Sequence, residues 1–168
     1  MTGDNINDIG DWKNITTPFK YYFGRGSNET VRISDTLVVK NYARLEGANS
    51  TFVASTGQDI VTLGASCRND TIYTGMGNDF IGVSYGANSK IYAGTGNDTI
   101  RIRANSIYAN GEAGNDQFVF VNNTSSNPSS KVTCEGGEGN DTFNFYQSSS
   151  VSISGGSGKN TYNFDPFY

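Results

Sequence analysis

One turn is written six times along this chain: "ASTGQD" (54–59), "TGMGND" (74–79), "AGTGND" (93–98), "GEAGND" (111–116), "GGEGND" (136–141) and "GGSGKN" (155–160). Successive copies begin 20, 19, 18, 25 and 19 residues apart. A period of this size marks a repeat architecture whose single unit cannot bury its own apolar face. The longest interval holds "VNNTSSNPSS", a polar, proline-bearing stretch that reads as a loop bulging from one coil.

Each turn is followed by an apolar pair two residues apart: Val61/Leu63, Ile81/Val83, Ile100/Ile102, Phe118/Phe120, Phe143/Phe145 and Tyr162/Phe164. Such alternation is the signature of a half-buried strand. A further apolar residue precedes most turns (Phe52, Ile72, Ile91, Cys134, Ile153), so each unit holds a second short strand. Between the strands lies another small-residue turn, "GANS" at 47 and 86 and "ANS" at 104. Its Asn and Ser residues suit a hydrogen-bonded ladder at the bend. Composition agrees, since 35% apolar residues and 21 glycines favour a thin repetitive core over a globular one. The expected fold is all-β: a parallel β-solenoid or β-roll, two short strands per coil of ~19 residues, stacked at ~4.8 Å. Residues 51–168 form the repeats with a C-terminal cap. Residues 1–50 form an irregular N-terminal cap and degenerate units, among them "GRGSNETVRI" (24–33) with Glu29 at the acid position. "SDTLVVKN" (34–41) reads as a strand pair or an insertion. Trp12, Phe19, Tyr21, Tyr22 and Phe23 are placed over the open end.

Stacking sets Asp59, Asp79, Asp98, Asp116 and Asp141 in one column. Without a cation between coils these carboxylates would repel one another. Carboxylate and carbonyl oxygens in a flexible turn suit a hard cation, calcium rather than magnesium.

The stretch "GGEGNDTFN" (136–144) matches the nonapeptide GGxGxDxUx, and the chain resembles the repeats-in-toxin (RTX) β-rolls over residues 54 to 164. The resemblance implies Ca²⁺ between neighbouring turns. It also implies a ligand set of the five aspartates and carbonyls of Gly57, Gly75, Gly77, Gly94, Gly96, Gly114, Gly137 and Gly139. Only one edge carries the full motif, so several ions in one row are expected. Ala54 and Ser55 stand where the first motif would have glycine, Glu112 replaces another glycine, and Asn160 replaces the last acid. The firmest sites are therefore expected at Asp79, Asp98 and Asp116.

Other features bound the function. There is no histidine, which removes Ser-His-Asp and Cys-His catalysis and His-ligated zinc. Net charge is −4, so nucleic acid is not an expected partner. No apolar run reaches the ~20 residues of a membrane span. Cys67 and Cys134 lie three coils apart, ~14 Å at the ladder spacing, too far for a disulfide. Tyr73, Tyr92 and Tyr108 are expected to point outward near Lys90, Arg101 and Arg103, as a candidate row for a carbohydrate or cell-surface ligand. The expected role is a non-enzymatic calcium-binding module, monomeric or part of a larger chain. By the resemblance it belongs to a secreted bacterial protein exported through a type I channel and folds on Ca²⁺ outside the cell. The alternative is an extracellular adhesion module. Ice binding is disfavoured because the third turn position (Thr56, Met76, Thr95, Ala113, Glu138, Ser157) forms no Thr row.

Overall fold

The computed structural model describes residues 6–7, 12–15, 22–24, 27–33, 41–54, 56–123, 131–148 and 151–165. The strands in chain order are β1 (Ile6–Asn7), β2 (Trp12–Ile15), β3 (Tyr22–Gly24), β4 (Thr30–Ile33), β5 (Asn41–Leu45) and β6 (Thr51–Val53). They continue with β7 (Asp59–Leu63), β8 (Thr71–Tyr73), β9 (Phe80–Val83), β10 (Lys90–Thr95), β11 (Thr99–Ile102) and β12 (Tyr108–Ala113). The last are β13 (Gln117–Asn123), β14 (Val132–Glu135), β15 (Thr142–Ser148), β16 (Val151–Ser154) and β17 (Thr161–Phe164). Odd-numbered strands make one nine-stranded sheet and even-numbered strands an eight-stranded one. Every pairing is parallel, and neighbours in each sheet are successive coils, as a β-solenoid requires.

Register follows the apolar pattern. Ile81, Ile100, Phe118, Phe143 and Tyr162 pair in sequence along the odd sheet. Phe52, Ile72, Ile91, Ala109, Cys134 and Ile153 do so along the even sheet. A one-residue slip in either column would turn the buried set outward, so the alternation fixes the stacking. Like side chains then lie on like. The rings of Phe118 and Phe143 stack at 4.8 Å, and those of Phe120 and Phe145 at 4.9 Å. The core between the sheets is a thin, continuous file from Val31 and Ile33 to Phe143. On the final strand the column surfaces, with Tyr162 45% and Phe164 72% exposed.

The same register runs upstream of the clear repeats, pairing Val31 with Phe52 and Tyr42 with Ile60. Trp12, Tyr22 and Phe23 lie in β2 and β3, whereas Phe19, Tyr21 and residues 34–40 fall outside the described residues. Glu29 does not join the column of repeat aspartates. Its N–H donates to Ser50 Oγ (3.3 Å) at the opposite edge, because an odd number of strands separates it from the 54–59 turn. Cys67 and Cys134 are both free and buried.

Candidate metal centre

The six turns stack along one edge, and the aspartates point into the stack rather than out to water. Asp59, Asp79, Asp98, Asp116 and Asp141 are each at most 2% exposed. One bond repeats from coil to coil: the backbone N–H of each acid donates to Oδ1 of the next. Asp59 donates to Asp79 (2.7 Å), Asp79 to Asp98 (2.7 Å), Asp98 to Asp116 (2.8 Å) and Asp116 to Asp141 (2.9 Å). Asn160 closes the series by accepting from Asp141 at 2.8 Å. Beside this column the preceding asparagines form an exposed one, in which Asn97, Asn115 and Asn140 donate N–H to Asn78, Asn97 and Asn115 Oδ1.

The second carboxylate oxygen is the anomaly. Oδ2 of Asp79, Asp98, Asp116 and Asp141 is buried with no hydrogen-bond partner among the described residues. A buried charged oxygen left unpaired is costly. At two coils its surroundings are resolved in detail. Asp116 Oδ2 and the Gly136 carbonyl converge over the Cα of Gly111, and Asp141 Oδ2 and the Gly155 carbonyl over that of Gly136. Each is a cradle that a Cβ would fill, lined by oxygens and offering no donor. That chemistry fits a hard cation. Among the described residues no three carboxylate or thiol side chains gather at one point. A cation there would thus be held by one or two carboxylates and, for the rest, by backbone carbonyls.

Electrostatics point the same way, with a change of emphasis from the sequence. Burial is the main reason the carboxyls sit above their usual range, and repulsion by the neighbouring aspartate is secondary. Asp98 is pushed up to about 7, and Asp79 and Asp116 to about 6. Asp141 rises for the same reason.

The glycines serve close approach between coils. Gly96 has φ +128°, and a Cβ on it would run into the carbonyl of Gly77 in the coil below. Gly77, Gly94, Gly114, Gly137 and Gly139 sit over backbone carbonyls in the same way, those of Gly57, Gly75, Gly96, Glu112 and Gly114. All predicted turn residues thus share one edge. Glu112 takes its glycine position at φ 72°, its N–H held by Asn110 Oδ1 at 2.9 Å. Gly96→Ala is expected to destabilise the calcium-loaded protein by on the order of 2–4 kcal/mol, read from a urea midpoint, because both sterics and φ oppose it.

Two features of this centre were not singled out in the sequence. The first-position glycines Gly111 and Gly136 floor the cradles. The signal was the small-residue column Ala54, Thr74, Ala93, Gly111, Gly136 and Gly155. The second is Asp70, which ends "ASCRND" (65–70) at the opposite edge. It is 1% exposed, its Oδ1 accepts the Ser50 N–H at 2.9 Å, and its Oδ2 is unpartnered. Its column neighbours are Ser50 and Ser89, whose hydroxyl accepts the Asp70 N–H at 3.1 Å, so no acid stands in the adjacent coils there. Cys67 beside it donates Sγ–H to Leu45 O at 3.0 Å and is pushed up to about 12 by burial, so it stays a thiol. The expected ladder at this edge is present in part: Asn69 donates to Asn49 and Asn49 to Asn28 at 2.9 and 3.2 Å, whereas Asn105 Oδ1 is left without a partner.

The tyrosines lie on the outer face of the even sheet. Tyr73 and Tyr92 are in register and stack at 5.0 Å. Tyr108 pairs instead with Lys90, and its ring tilts at 54° to Tyr92. Arg101, on β11, is on the other sheet, so it does not join this row.

The family model of the RTX calcium-binding nonapeptide repeat matches the chain in four copies, over residues 46–81 and 85–101. These segments take in turns on both edges, those ending in Asp59, Asp79 and Asp98 and those containing Ser50, Asp70 and Ser89. No curated protein and no solved structure matches the chain.

Proposed function

We infer, for a chain that carries RTX calcium-binding nonapeptide repeats, that the edge from Asp59 to Asn160 is a row of Ca²⁺ sites on whose occupancy the fold depends. RTX repeats are structural calcium-binding modules rather than an enzyme family. The observation that carries the reading is the set of buried, unpartnered Oδ2 atoms, of which those of Asp116 and Asp141 face backbone carbonyls. Asp79, Asp98, Asp116 and Asp141 would supply carboxylate oxygen. Carbonyls of the turn glycines, with those of Gly136 and Gly155 at the last two cradles, would supply the rest. Asp59, whose Oδ1 and Oδ2 belong to the first turn, is assigned the same role. Bound calcium supplies the positive charge that burial of these carboxylates lacks. The protein's own part is to hold Oδ1 of each acid on a backbone N–H, which aims Oδ2 into the gap.

With few carboxylates per ion, the sites fall in the weak extracellular class. Each site occupied at 100 times its Kd adds about 2.7 kcal/mol by mass action. A row of them decides whether so thin a core is folded. This suits a bacterial protein exported unfolded, through a type I channel, into calcium-rich surroundings. An adhesion role through the tyrosine row is the second reading. A continuous aromatic strip on the even sheet favours it. Against it, Tyr73 and Tyr92 already cover one face of each other's ring.

Circular dichroism and near-ultraviolet spectra at pH 7 test the first reading. With calcium chelated, the chain is expected to lose most of its β signal and regain it cooperatively at millimolar Ca²⁺. Identical spectra and identical melting in both conditions refute it.

A further inference from the structure

The edge opposite the aspartate row carries a cavity of about 410 Å³ that the calcium reading does not use. It spans three successive coils. Arg68 and Ala87 face each other in a parallel bridge, and Arg103 donates its N–H to Val83 O at 2.8 Å. It is lined by small residues (Ala65, Ser84, Gly86, Ala104) together with the larger Arg68, Tyr85 and Arg103. Its size is that of a small-molecule site.

Three groups in it lack something. Among the described residues neither Arg68 nor Arg103 forms an ion pair, although the chain as a whole is acidic. Asp70, the acid nearest Arg68 in sequence, is turned into the stack and bonded to Ser50 N–H. The Tyr85 side chain is 55% exposed at the mouth. Asn105 Oδ1 is buried there without a hydrogen-bond donor. Two guanidinium groups call for an oxyanion. An exposed phenol ring calls for an apolar ring face. A carboxylate and an apolar ring face coexist on an acidic sugar.

We propose that this cavity binds an acidic sugar, its carboxylate between Arg68 and Arg103 and its ring against Tyr85. The site is distinct from the tyrosine row, which lies on a sheet face rather than at the edge. It is also independent of whether calcium drives folding, since the protein is tested with calcium present and folded by spectroscopy.

The test is a ¹H–¹⁵N titration of the folded protein in excess Ca²⁺ with glucuronate, read at arginine Nε–H and at the amides of residues 84–87 and 103–105. Glucose serves as the uncharged ring and acetate as the bare carboxylate. Glucuronate is expected to give saturable shifts at this edge and at least tenfold tighter binding than either control. Arg68→Gln and Arg103→Gln, both on exposed side chains, should each weaken it at least tenfold with the rest of the spectrum unchanged. Lys90→Gln on the even sheet should not weaken it. Absence of saturable shifts, glucose or acetate binding as tightly, or unchanged affinity in both arginine variants overturns the proposal.

Discussion

Asp116→Asn is expected to stabilise the metal-free protein and to weaken its response to calcium, so that one substitution changes sign with conditions. Asparagine keeps the Oδ1 that accepts the Asp98 N–H at 2.8 Å. Its Nδ2 would stand where Oδ2 stands, beside the Gly136 carbonyl, and would turn an oxygen–oxygen conflict into a hydrogen bond. The protein already contains this arrangement: Asn160 accepts from Asp141 through Oδ1 and lays its Nδ2 over Gly155. The charge removed is one that burial penalises, since Asp116 titrates at about 6 instead of 3.8. At neutral pH that difference is on the order of 3 kcal/mol. Part of it is shared with Asp98 and Asp141, so a net gain of about 1–3 kcal/mol is expected without metal. In calcium the same variant loses a ligand, and its calcium midpoint should rise several-fold. The β signal at pH 7 in chelator, with sucrose added equally to both proteins to populate the folded form, measures the first arm, and a calcium titration the second. Loss of stability in chelator would contradict the burial argument. Asp116→Ala, lacking Oδ1 as well, should be destabilised in both.

Acidification from pH 7 to pH 5 is expected to stabilise the metal-free protein. Asp98 at about 7, and Asp79 and Asp116 at about 6, bind protons more tightly when folded than the unfolded chain does at 3.8. Where the folded state holds more protons, the free energy of unfolding falls as pH rises. The loss thus accumulates between about pH 4 and pH 7 and then levels off. Three such groups sum to roughly 10 kcal/mol before coupling, as much as the whole stability of an ordinary domain. With calcium bound the slope should flatten or reverse, because protons then compete with the ion for the same oxygens. The β signal and its melting at pH 5, 6 and 7, with and without chelator, separate the two regimes, the metal-free signal growing as the pH falls. A metal-free protein that weakens on acidification over this range would exclude penalised buried carboxylates.

Much of the fold was legible. The pairs Ile81/Val83, Ile100/Ile102 and Phe118/Phe120 announce inward positions because strand side chains alternate with period two. The repeat interval says which of them stack. The aspartate column followed, since one residue per period must recur at one place in a solenoid. What stayed hidden concerns which edge or sheet a residue reaches when the repeat is degenerate. Glu29 looks like a member of the repeat-acid column, yet it stands at the opposite edge, the one that also holds Asp70. Arg101 and Tyr92 are nine residues apart in sequence. The intervening turn carries them to opposite sheets. Tyr108 falls two residues short of the Tyr92 column, because it lies 16 residues after Tyr92 whereas this coil advances 18, from Tyr92 to Asn110.

By itself the sequence determined the period, the parallel stacking and the chemistry of the repeated turn, for those depend only on spacing and residue type. Whether repulsion or burial penalises the carboxylates was left to the tertiary structure, because only packing decides which oxygen of an aspartate finds a donor. Oδ1 finds one in the preceding coil while, at Asp116 and Asp141, Oδ2 faces a carbonyl, and that asymmetry is what a cation can resolve. The cavity between Arg68 and Arg103 is likewise a product of folding. Its walls come from turns 35 residues apart, brought together by two coils of stacking.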